Sequence, residues 1–86
     1  MNMPVLAKFY GIVIRMYFLQ SEHNPPHIHA IYNDNVALIE IATGNVLEGE
    51  LPSKALKMVQ EWVNLYRTNL IDIWNTQVFR ILPPLE

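Results

Sequence analysis

The sequence predicts an α+β domain: a small antiparallel sheet, run as a meander, packed on one face by a C-terminal helix or helix pair. Three observations carry that expectation. From residue 9 to residue 51, apolar side chains recur at every second position, in runs rich in β-branched and aromatic residues. Short clusters of proline, asparagine, aspartate and glycine separate the runs, as turns require. Beyond Pro52 the apolar period lengthens to about 3.6 residues, the spacing of an amphipathic helix.

Residues 9–19 form the first expected strand. Tyr10, Ile12, Ile14, Met16 and Phe18 share the core side, and Phe9, Gly11, Val13, Arg15 and Tyr17 the other. Residues 21–26 connect it to the second strand. Pro25 and Pro26 lack an N–H and fix φ near about −65°, so neither fits a central strand, and Asn24 before them is driven to extended geometry. The second strand therefore covers residues 27–32, with Ile28, Ala30 and Tyr32 inward and His27, His29 and Ile31 outward. Asn33, Asp34 and Asn35 make a turn cluster.

Residues 36–42 are the third strand, with Ala37, Ile39 and Ile41 inward and Leu38 and Glu40 outward. Thr43 and Gly44 turn the chain, and residues 45–51 complete a hairpin. There Leu47, Gly49 and Leu51 share one face, and Val46, Glu48 and Glu50 the other. Pro52 opens a helical segment over residues 53–77. Ala55, Val59, Trp62, Val63, Tyr66, Leu70, Ile73 and Trp74 step along one stripe that can cover the sheet, with both tryptophans as core residues. Residues 66–69 are its weak point, since Thr68 and Asn69 are modest helix formers; a kinked helix and two successive helices both fit, and the unbroken stripe favours one. Residues 78–82 could add a short strand before Pro83 and Pro84.

The 86 residues make one domain. With 51% hydrophobic and 16% charged residues, the chain is apolar enough for a core and leaves apolar surface for a partner, a second copy or a different protein. A formal charge of −2 argues against nonspecific nucleic-acid binding, which needs a basic face. The absence of cysteine excludes disulfides and thiolate metal sites. No signal-like leader and no stretch long enough to span a bilayer are visible, so a cytoplasmic protein with no membrane partner is expected.

All three histidines fall within residues 23–30, which read His-Asn-Pro-Pro-His-Ile-His-Ala. On the outward face of the predicted sheet, Arg15, Tyr17, His27, His29, Glu40 and Glu48 come from neighbouring strands. Cross-strand ion pairs facing water are the plain account of the charged members. Three chemical uses are open. Two imidazoles at alternate strand positions, roughly 6–7 Å apart, can trade a proton, as cleavage of RNA through its 2′-hydroxyl requires. Arg15 would then hold phosphate, Tyr17 would assist, and Glu40 or Glu48 would tune an imidazole. Alternatively His23, His27 and His29 could bind one divalent transition metal; the chain lacks the glutamate and glycine that follow His-x-His in cupins. Otherwise no cofactor is expected, and the face serves to bind protein. Three scattered glycines make no phosphate-binding loop, and no nucleophilic serine sits in a recognisable turn.

The runs Phe9-Tyr10-Gly11-Ile12-Val13-Ile14-Arg15-Met16-Tyr17, His23-Asn24-Pro25-Pro26-His27-Ile28-His29-Ala30 and Gly49-Glu50-Leu51-Pro52, with Glu61-Trp62 and Trp74, resemble the prokaryotic domain-of-unknown-function family 4160. The resemblance covers nearly the whole chain. Ile81-Leu82-Pro83-Pro84-Leu85 is similar to the family's short Ile-x-Pro-Leu tail, with one residue more. The resemblance implies a setting beside a gene for another small protein, some of whose relatives carry a helix-turn-helix. By that analogy the chain is the toxin-like component of a two-gene toxin–antitoxin module acting on RNA through His27 and His29. A non-catalytic protein-interaction module is the second expectation, and a histidine-rich metal-binding protein the third.

Overall fold

The computed structural model describes residues 3–17 and 25–86. Among the described residues, five strands, β1 (Val5–Phe9), β2 (Ile12–Arg15), β3 (His27–Tyr32), β4 (Asn35–Glu40) and β5 (Val46–Gly49), precede one helix, α1 (Ser53–Thr76). The strands form one antiparallel sheet in the order β1-β2-β3-β4-β5, so each pairs only with its neighbours along the chain. This is the expected α+β meander with a C-terminal helix.

The expected single strand over residues 9–19 is instead the end of β1, a two-residue turn and β2. Tyr10 (φ 50) and Gly11 (φ 81) both take left-handed geometry, which the tight turn of a twisted hairpin demands. Tyr10 therefore leaves the core face and stands 61% exposed at the tip. Phe9, placed outward by simple alternation, is buried and meets the ring of Trp62 at 5.8 Å. Phe18, Leu19 and most of the connecting segment lie outside the described residues.

Elsewhere the period-two pattern holds. Ile12, Ile14, Met16, Ile28, Ala30, Ala37, Ile39 and Ile41 are all fully buried. β5 breaks the alternation: Leu38 pairs with Glu48 and Ile39 with Val46, so Leu47 is the extra residue of a bulge. Gly49 (φ 79) lets β5 approach β4 closely; an ideal Cβ there would stand 2.0 Å from the Val36 carbonyl oxygen.

The helix buries Ala55, Val59, Trp62, Val63, Leu70, Ile73 and Trp74, the stripe read from the sequence. It is one element with a kink at Tyr66 (φ −112, ψ 21). Beyond the kink, Arg67 Nε donates to the Ile41 carbonyl at 2.8 Å, tying this half to the end of β4. Gln77 in left-handed geometry ends the helix, its N–H bonded to the Ile73 carbonyl. Residues 78–82 make no strand. The Leu82 N–H does donate to the Leu6 carbonyl (2.7 Å), and Trp62 Nε1 donates to the Pro83 carbonyl (2.8 Å), so the tail is tied to both β1 and the helix. Among the described residues no helix is long and apolar enough to cross a membrane.

Candidate functional site

Two prolines deliver the chain into β3. The Ile41 N–H donates to the Pro26 carbonyl at 3.0 Å, extending the β3–β4 ladder by one bond before His27. From His27 onward side chains alternate, so His27 and His29 lie on the same side of the strand, as expected. Their ring centroids are 5.3 Å apart.

Both rings are buried, His27 completely and His29 to 7% exposure. This corrects the expectation of an open face pointing away from the helix. Trp74, from the last turns of α1, packs its ring 5.2 Å from that of His27. On the other side, Tyr17 meets His29 edge-on at 4.1 Å. The physical reason is packing between distant elements: an imidazole offers a flat, half-apolar surface, and the last turns of α1 bring an indole against it where β3 begins.

His27 Nδ1 lies 2.8 Å from the Pro25 carbonyl oxygen. A carbonyl can only accept, so Nδ1 carries the hydrogen of this bond. The double-proline lead-in thus holds the His27 ring in place as well as setting the strand start.

The remaining candidates are spread around this pair. Arg15 is the cross-strand neighbour of His29, and Glu40 of His27. Arg15 donates through Nη1 to the Met3 carbonyl at 2.6 Å. Glu40 Oε1 accepts from Thr43 Oγ1 at 2.8 Å, within the loop that leads to β5. Glu48 is exposed and faces Leu38, two strands from His29; at strand spacing that is roughly 10 Å, too far to tune an imidazole by direct contact. His23, the expected third metal ligand, lies outside the described residues. Among the described residues no three histidine, aspartate or glutamate side chains are grouped to hold a metal.

Trp74 is the contact that sequence reasoning missed. Its helical stripe assigned it to the core, and it is buried. No spacing rule says that an indole at the end of a kinked helix meets the first residue of a strand 47 positions earlier.

Comparison with known proteins agrees with the sequence resemblance. No curated protein and no solved structure matches the chain. The family described as Domain of unknown function (DUF4160) matches over residues 11–75, a span that includes β2 to β5 and nearly all of the helix; the chain belongs to that family.

Proposed function

We propose that this protein is a non-catalytic interaction module whose partner is the small protein encoded beside it. The observation that carries this role is the pattern of exposure. Both imidazoles are packed away against Tyr17 and Trp74, whereas all four residues of β5 are exposed. That strand is the sheet's edge, and it presents Val46 and Leu47, 37% and 41% exposed, beside its outward backbone groups. An exposed edge with apolar side chains is where an added strand or a helix from another protein docks. The opposite edge is partly occupied by the bond from Leu82 to Leu6.

Co-expression with the neighbouring gene tests this. A complex that survives His27→Gln and His29→Gln but is lost with Val46→Asp or Leu47→Asp is the expected result. A complex indifferent to both edge changes overturns it.

A second role is favoured by one observation. The hydrogen bond to the Pro25 carbonyl orients the His27 ring, and the His29 ring lies 5.3 Å from it, a pairing of imidazoles that proton exchange can use. On that ground a toxin-like protein acting on RNA is the competing proposal, in cytoplasm, with Arg15 and Tyr17 at the same end of the sheet. Growth arrest on expression, relieved by His27→Gln while the melting curve stays unchanged, would favour it over the interaction role.

A further inference from the structure

The face of the sheet that bears Val13, Ile31, Val36 and Leu38 is organised in two cross-strand rows. One reads Lys8, Val13, Ile31, Val36 across β1 to β4, and the bond from the Glu50 N–H to the Val36 carbonyl continues it past β5. The next reads Val5, Arg15, His29, Leu38, Glu48. Tyr17 and Trp74 pack on the histidines at one end of this face. The other end is open: Val36 is 45% exposed, Val13 and Ile31 are half-buried, and Lys8, Glu48 and Glu50 are exposed.

Charge is segregated on this face. The cations, Lys8 and Arg15, sit on β1 and β2; the carboxylates, Glu40, Glu48 and Glu50, sit at the end of β4, on β5 and just after β5; valines, isoleucine and leucine lie between. We infer that this face is an isologous interface, covered by a second copy of the same chain related by a two-fold axis running parallel to β3.

The charge pattern selects the occupant and its orientation. Rotation about an axis along β3 carries β1 of one copy over β5 of the other. Lys8 then faces Glu50 of the second copy, Val13 faces Val36 of the second copy, and Ile31 meets its own equivalent on the axis. Rotation about an axis across the strands would instead stack β1 on β1 and β5 on β5, setting like charges together. A face that is basic at one side, acidic at the other and apolar between is complementary to itself in the first arrangement only. Over the open end of the face, two sheets with strands near parallel bury such side chains as in a β-sandwich. The β5 edge proposed above for the neighbouring protein points in the plane of the sheet, so both contacts can form at once.

Sedimentation of the purified full-length chain, without any partner, reads this directly. A dimer of the 10.0 kDa chain that weakens with added salt is expected. Lys8→Glu and Glu50→Lys, both at exposed positions, should each weaken it roughly tenfold, because each change disturbs two symmetry-related pairs. The double variant should restore it. A wild-type chain that stays monomeric overturns the inference. So does a dimer unmoved by either reversal, or one that the double variant leaves weak. None of these outcomes bears on binding of the neighbouring protein, which the edge variants test separately.

Discussion

The indole of Trp74 rests 5.2 Å from the imidazole of His27, joining the last turns of the helix to the first residue of β3. Both rings are buried, and the same imidazole is pinned by the Pro25 carbonyl. Removing Trp74 therefore costs packing on two elements at once. Trp74→Ala should destabilise the protein by about 3–5 kcal/mol, the usual range for a buried tryptophan. Trp74→Phe, which keeps a ring against His27, should cost less than half of that in urea unfolding. Equal losses from the two changes would mean that the ring contact with His27 contributes little.

His27→Gln should be milder than His27→Ala. Glutamine retains a donor for the Pro25 carbonyl, whereas alanine leaves that carbonyl short of a partner and opens a cavity beside Trp74. The difference should be about 1–3 kcal/mol, read from paired chemical denaturation curves.

Tyr10 holds φ at 50° on the tip of the first hairpin with most of its side chain in solvent. An L-residue with a bulky side chain is penalised there, and asparagine much less so. Tyr10→Asn would create Asn-Gly, the dipeptide best suited to this turn. The substitution should raise stability by about 1 kcal/mol, visible as a higher melting temperature.

Gly49→Ala tests the contact between β4 and β5. The new methyl would run into the Val36 carbonyl oxygen, and the residue would keep a φ of 79° that L-residues avoid. A loss of at least about 1–3 kcal/mol is expected. Hydrogen exchange should show faster turnover at Glu50, whose N–H bonds that carbonyl, with little change in β1 and β2.

Trp62→Phe keeps most of the buried ring but deletes the donor to Pro83. The chain after the helix should then exchange its amide hydrogens faster, Leu82 above all, at a stability cost of about 1–3 kcal/mol. Unchanged protection at Leu82 would mean that its bond to Leu6 alone fastens the tail.

The interior was legible because periodicity reports on it directly. Ile28 and Ala30, Ala37, Ile39 and Ile41, and the stripe from Ala55 to Trp74 all follow from alternation or from helical spacing. The pairing of His27 with His29 on one side was legible for the same reason. Three features were not. Tyr10-Gly11 lacks the asparagine or aspartate that announces a two-residue hairpin, so one long apolar run concealed two strands. The bulge at Leu47 depends on a register between strands, which a single strand's sequence does not encode. The burial of the histidines depends on where a kinked helix ends, and that is set by packing between residues far apart along the chain.

Because every strand lies beside its immediate predecessor, the sheet can be assembled by adding one hairpin after another, with no distant segment threaded between strands already in place. Such local wiring lowers contact order, and each hairpin step takes about 1–10 μs. The slow, entropically expensive events are left to the last two-fifths of the sequence, when the helix settles on the finished sheet and the closing residues fasten onto β1.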